Sequence, residues 1–333
     1  MISKHAIFFA AALTMISCQG LLPGCQPDEP DKPQPDDTDT CGVGIDETWP
    51  TDGTSDLYYR SDIEFYLSDP DPDGTPTLSL TSGGQLIPGE SRLSEDAETV
   101  TFTPAAPLQP QAEYTATLNY CQGEASIAFL TSELGAPLEV DLEGRTYSVS
   151  LLGGRVVEPP GFGDVIATLI GQPDVLVEVQ QADDQLVFLG AIAETNSDEQ
   201  NLCSPTIDFP PADFSDAPYF EVPPSLVDIE VDGTTLSLHE FTMAGTFAAD
   251  GGYFGGGVIG GELDTRDLVD LVPEVEDPEE ACELMASFGA PCRACTSDDE
   301  PLCLRVLIDR LLGDEVHTDV VEVRDPSENP DCP

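Results

Sequence analysis

Ten cysteines carry the densest chemistry in this chain: Cys18, Cys25, Cys41, Cys121, Cys203, Cys282, Cys292, Cys295, Cys303 and Cys332. Four of them crowd into Cys282-x9-Cys292-x2-Cys295-x7-Cys303. Four thiolates could hold zinc. A CxxC could cycle between thiol and disulfide. The spacing fits no common zinc ribbon, however, and no strand–helix unit frames the CxxC. Structural disulfides are therefore the expected state, as in exported proteins. Cys203 and Cys332 remain as a pair that could tie a long loop to the C-terminus.

Oxygen and nitrogen chemistry is thinner. Asp69-Pro-Asp71-Pro-Asp73-Gly74 places acids at positions 1, 3 and 5 and glycine at 6, the opening of a calcium loop. Leu80 stands where the bidentate acid is due, and two prolines stiffen the run. The three aspartates form at best a weak calcium site, and an acidic turn explains them as well. Beyond the first few residues the only histidines are His239 and His317. No zinc-protease helix, Gly-x-Ser-x-Gly elbow, phosphate loop or dinucleotide fingerprint is present. A single tryptophan, Trp49, argues against a carbohydrate-stacking platform. These absences predict no enzyme and no cofactor beyond weakly bound calcium.

The N-terminus has a separate chemistry. Lys4 and His5 precede an apolar run from Ala6 to Ile16, then Ser17-Cys18 and Gly24-Cys25, then an abruptly polar Pro/Asp-rich stretch. A short charged start, a short apolar core and a small residue before the cut describe a secretory signal over residues 1–24. A cysteine at the cut followed by a tether (25–40) resembles a bacterial lipoprotein. The lipid would sit on Cys18 or Cys25. With Cys25 lipidated, eight cysteines remain for four bridges. With Cys18 lipidated, Cys25 is left over in the tether. Gln19 or Gln26 follows the cysteine, and the resemblance then implies outer-membrane sorting, at the cell surface or the periplasmic face. Pro-rich composition extends the tether by ~3 Å per residue.

The chain carries 64 acidic against 11 basic residues, a formal net charge of −53. Such a surface repels the phosphate backbone and anionic lipid alike, which excludes nucleic acid as a partner. The membrane would be reached through the N-terminal lipid alone. Hydrophobic content of 40% is enough to build cores.

Those cores must come mainly from strands. Asp62–Leu67, Thr99–Thr103, Glu113–Leu118 and Ser126–Leu130 alternate polar and apolar residues, with turn clusters such as Ser82-Gly83-Gly84 between them. This predicts an antiparallel sandwich over residues 41–133. The run Val100-Thr-Phe102-Thr-Pro104 … Leu108 … Tyr114-Thr-Ala-Thr-Leu118 resembles the bacterial Ig-like domain of S-layer and surface proteins. The resemblance implies Phe102, Leu108 and Leu118 in the core and Tyr114 as a tyrosine corner. It also implies a spacer or binding role without catalysis. Cys41 and Cys121 fall near the two ends of this domain and form a candidate bridge.

Leu134-Gly-Ala-Pro137 marks a boundary to a second β domain, 137–333. Strands are expected at Glu139–Leu142, Thr146–Leu152, Val165–Ile170, Val175–Val179, Gln185–Ile192, Leu226–Val231, Thr235–His239, Phe241–Phe247 and Tyr253–Gly261. That number suggests a second sandwich or a barrel. A helical tail is expected over about 264–313. It comprises a short helix from Asp264, one capped by Asp277 with Pro278 at its first position, and one from Asp299 to Gly313. The glycine-rich strand Tyr253–Gly261 could let a ligand approach a barrel wall. Three functions follow in order. The first is a non-catalytic anchored surface lipoprotein acting as spacer and interaction module for an envelope or surface protein. The second is a barrel holding an apolar small ligand. The third is an enzyme of unknown type.

Overall fold

Alternating burial organises the first eight strands of the computed structural model, which describes residues 42–72, 74–121, 123–159, 174–231, 234–269 and 275–332. The expected signal and tether, Cys18, Cys25 and Cys41, and the expected strand Val165–Ile170, lie outside the described residues. Strands β1 (Ile45–Trp49), β2 (Ile63–Leu67), β3 (Thr77–Ser82), β4 (Gln85–Leu86), β5 (Gly89–Leu93), β6 (Thr99–Pro104), β7 (Glu113–Tyr120) and β8 (Gly123–Leu130) form two antiparallel sheets. Their orders are β1-β2-β6-β5 and β4-β3-β7-β8. One face of each sheet is apolar, so the two stack around Phe65, Leu80, Val100, Phe102, Leu108 and Leu118. Gln109 N–H donates to the Tyr114 hydroxyl at 2.8 Å, which is the expected tyrosine corner.

The second half is a barrel. Its strands are β9 (Thr146–Val149), β10 (Arg155–Glu158), β11 (Val175–Ala182), β12 (Gln185–Ile192), β13 (Ile207–Asp208), β14 (Ala212–Asp213), β15 (Tyr219–Val231), β16 (Thr234–Phe247), β17 (Tyr253–Asp264) and β18 (Cys303–Val316). They pair antiparallel in the order β9-β11-β12-β14-β15-β16-β17-β18, and β18 returns to β9 through Gly313↔Val149 and Val316↔Thr146. Eight strands therefore close a ring, which leaves no edge in it. β10 pairs the middle of β18, and β13 pairs β12. The barrel core is aromatic at its heart. Phe247 packs against Tyr147, Phe214, Phe220 and Phe254 in tilted or edge-to-face pairs, at centroid distances of 5.2–6.2 Å.

Three expectations for this half need correction. Glu139–Leu142 forms no strand. It is a connection that buries Leu142 in the barrel core while Glu139 N–H donates to Ala249 O. Thr235–His239 and Phe241–Phe247 are one strand, β16, interrupted by the positive φ of Glu240 (50°). The helix from Asp299 to Gly313 is the strand β18. Ile308 pairs Ile259 and Leu311 pairs Gly257, so Asp309 and Arg310 together face one residue, Val258. This β-bulge shifts the alternation and turns both Ile308 and Leu311 inward. Inward residues three apart imitate helical spacing.

Two α-helices are present among the described residues. α1 (Thr265–Leu268) is one turn, capped by Asp264. α2 (Pro278–Ser287) starts as expected: the Asp277 carboxylate accepts from Glu280 N–H at 2.9 Å and Pro278 opens the helix. α2 buries Ala281 and Met285, and Met285 packs with Leu236, Leu268 and Leu304 on the outside of the barrel. No described helix is long and apolar enough to cross a membrane.

Sandwich and barrel belong to one compact unit, Cys41–Pro333. Their seam is built on the glycine-rich strand β17. A Cβ on Gly256 would sit 2.2 Å from Tyr58 Cζ, and one on Gly255 2.8 Å from Leu134 Cδ1. The close approach these glycines permit is therefore that of the sandwich. Tyr58 crosses the seam to share a hydrogen bond of 2.8 Å with Thr246 Oγ1. Arg60 pairs with Asp216 and lies 3.8 Å over the Tyr219 ring. Ala248, at the β16–β17 turn, is buried in the sandwich core.

Candidate functional site

The cysteine tail is oxidised. Cys282 bonds Cys292 and Cys295 bonds Cys303, so one bridge holds α2 to the loop after it and the next holds that loop to the start of β18. Cys203 bonds Cys332 across a separation of 129 residues, as expected. Cys121 is also disulfide-bonded. Asp264, Cys295 and Cys303 bring one ligand atom each within 4.8 Å of one another. The two sulfurs are bonded to each other, and both Asp264 oxygens accept from Arg266 Nε at 2.8 and 2.9 Å. Burial raises the Asp264 pKa, but the Arg266 hydrogen bonds outweigh it and hold the carboxyl below its ordinary value. This cluster is a structural clamp with no open donor set.

The candidate calcium acids are divided. Asp69 is exposed, Asp71 is buried, and Asp73 lies outside the described residues. Asp71 Oδ2 accepts from Cys121 N–H at 3.0 Å, and Gly74 N–H closes the turn on Asp71 O at 2.9 Å. Asp71 thus fixes the backbone beside a bridged cysteine, the acidic-turn role. His239 sits on β16, half-buried, and His317 is exposed beyond β18.

Two cavities bear on the candidate functions, one for its apolar walls and one for its size. The first, about 70 Å³, lies inside the barrel between Val149, Val177, Ile207, Phe241, Met243 and Leu311, and its walls are almost wholly apolar. The second is a cleft of about 670 Å³ along the seam. Sandwich residues Trp49, Tyr58, Arg60, Asp62 and Glu64 line one side, and barrel residues Arg155, Asp309, Arg310 and Leu312 the other. Arg155 holds Asp309 with both prongs, at 3.0 and 2.6 Å. Arg310 stacks on Trp49 with Cζ 3.5 Å from the ring centroid. Burial, then the neighbouring Glu64, raises the Asp62 carboxyl above its ordinary value.

Of the cleft residues, only Tyr253, Gly255, Gly256 and Val258 were sequence candidates, as part of the glycine-rich strand. A lone tryptophan carries no pattern, and Arg310 sits where a helix is expected. The only signal was scarcity: with 11 basic residues in the chain, several arginines in one cleft are a concentration.

Residues 39–126 match the bacterial Ig-like domain. This is the family expected from the Phe102–Tyr114 motif, and it covers the sandwich through the first half of β8. No curated protein matches the chain in sequence. Among solved structures, the N-terminal part of the bacterial S-layer protein SbsC aligns at 12% identity with a TM-score of 0.22, over 46% of this chain and 41% of that one. This chain thus spans less than half of that structure. An L,D-transpeptidase from Mycobacterium smegmatis aligns at 11% identity and 0.21, over 47% and 79%. Tandem Ig domains of titin align at 13% and 0.19, over 59% and 92%. At these scores the alignments carry no argument about function.

Proposed function

We propose that this protein is a non-catalytic surface lipoprotein. A lipid on Cys18 or Cys25 would anchor it to the outer membrane, the Pro/Asp-rich tether would hold it off the bilayer, and the sandwich–barrel body would act as a rigid interaction module. The observation that carries this reading is the bacterial Ig-like sandwich locked onto a second β body through Tyr58 and Gly256. A spacer that presents a surface needs stiffness between its parts, and this seam supplies it. The oxidised cysteines agree with an exported protein. Its partner would be an envelope or surface protein able to meet a strongly acidic surface, and so one with a basic face. Calcium bound weakly at Asp69, Asp71 and Asp73 remains part of this proposal only as a surface ion.

The test is intact mass spectrometry of protein purified from membranes, with and without reduction and alkylation. The expected result is an acylated N-terminal cysteine, with alkylated thiols appearing only after reduction. An unacylated chain in the soluble fraction overturns the anchor.

The apolar void in the barrel favours a second reading, a holder of a small apolar ligand. An engineered cavity of about 150 Å³ admits benzene. At about 70 Å³ this one would hold only something smaller unless the barrel breathes. A benzene titration followed by NMR shifts of Met243 and Phe241 would distinguish the two.

A further inference from the structure

The nine arginines of this chain face 64 acidic residues. Eight of them lie within 4.0 Å of a carboxylate, from Arg60 with Asp216 to Arg324 with Asp208. Arg310 is the ninth, and among the described residues its guanidinium has neither an ion pair nor a hydrogen bond. In a chain of net charge −53 a cation that meets no acid is held away from them by structure.

Three features hold it. The bulge that sets Asp309 and Arg310 opposite Val258 puts Arg310 at φ 58°, a left-handed conformation that costs a non-glycine residue energy. Trp49 holds the guanidinium carbon 3.5 Å above its ring centroid, close enough for the flat group to lie against the ring. The neighbouring acids are already engaged: Asp309 by Arg155, and Glu64 by the Tyr66 hydroxyl. Stacking uses only the face of a guanidinium, so its N–H edge stays free for an acceptor in the plane. Burial, then the neighbouring Arg155, holds Arg310 below its ordinary pKa.

We propose that the seam cleft is a binding site for a small monocarboxylate. Its carboxylate would sit in the plane of the Arg310 guanidinium, and its ring or short apolar body would pack beside Tyr58 and Leu312. One free cation calls for one anionic group. A polyanion would meet Asp56, Asp62 and Glu64 at the same cleft and the acidic surface beyond it. The volume of about 670 Å³ lies within the range of small-molecule sites, and such sites favour domain interfaces. The proposal does not depend on where the protein is anchored or on its macromolecular partner.

Trp49 is the only tryptophan, so its fluorescence reports on this cleft alone. The full chain is titrated with D-glucuronate against D-glucose, and with cyclohexanecarboxylate against cyclohexylmethanol. At least one acid should give a saturable change below ~10 mM that its neutral counterpart does not. Which acid responds decides whether the body is a sugar or an apolar ring. By calorimetry, Arg310→Gln should weaken that acid at least ~10-fold, and the exposed Arg92→Gln should leave it unchanged. Arg310→Lys keeps the charge without the fork and should fall between, which also covers a Gln variant that fails to fold. No saturable response to either acid overturns the site. So does an equal response to the neutral partner, or unaltered affinity in the Arg310 variants.

Discussion

In the sandwich, two four-stranded sheets face each other and leave β1, β5, β4 and β8 as edges. In the barrel, β18 returns to β9 and the eight-strand ring has none. The sandwich draws its order from short-range devices: a tyrosine corner spanning five residues and hairpins such as β7–β8. The barrel depends on a pairing between β9 and β18, the first and last strands of its half of the chain, and on a bridge from Cys203 to Cys332. Where closure is distant in sequence, the chain adds covalent and aromatic fastening. The seam then makes the two bodies one, because the glycines of β17 admit Tyr58 and Leu134.

The largest effect should come from the long bridge. Replacing Cys203 and Cys332 by Ser removes a constraint worth roughly 5 kcal/mol in the chain-entropy model, whereas Cys282 and Cys292 close a short loop worth roughly 3 kcal/mol. Urea midpoints of the two double variants should differ in that order, and an inverted order breaks the distinction between distant and local closure. Next, Phe247→Ala in the barrel and Phe65→Ala in the sandwich each remove a fully buried ring, at about 3–5 kcal/mol. Both should shift a single unfolding transition, seen alike by Trp49 fluorescence and far-UV circular dichroism. Two separate transitions in the parent chain would show that the seam does not couple the bodies.

Gly256→Ala sharpens the same point. Its φ is 60° and the new Cβ would collide with Tyr58, so a loss of about 1–3 kcal/mol is expected, with the transition splitting in two. Tyr114→Phe should cost the sandwich about 1 kcal/mol by leaving Gln109 N–H without its acceptor, and should leave the barrel unaltered.

The smallest effect is on pH. Tyr219 and Tyr253 are pushed up to about 12, first by burial and then by Glu221 and Glu133 respectively, and burial also raises Tyr58. A raised folded value means their contribution is fully present below pH 10 and is lost as pH rises from 10 towards 12. All three lie at the seam, so its hydrogen-exchange protection should fall in that window before the barrel core opens.

Much of the sandwich was legible because its signals are local. Phe102, Leu108 and Leu118 alternate correctly within strands, and Tyr114 lies five residues from the amide it meets. The Asp277 cap and Pro278 opened their helix for the same reason. The run from Asp69 to Asp73 reads as an acidic turn or a weak calcium loop, and what it does show in the fold, Asp71 accepting from Cys121 N–H fifty residues away, is not a local signal. Leu304, Leu307, Ile308 and Leu311 fit a helix by spacing, and only pairing with β17 and β9 makes them a strand. Of the cleft, only the glycine-rich β17 wall was legible, because the pairing of Trp49 with Arg310 joins opposite ends of the described chain.

By itself, then, the sequence determined the mainly β character, the Ig-like half and the oxidised cysteines. Composition, alternation and short-range hydrogen bonds suffice for each of these. The tertiary structure decided the barrel's closure, the role of the β17 glycines and the isolation of Arg310 on Trp49. Each depends on which distant strand a segment meets, and a one-residue bulge is enough to change which way its side chains face.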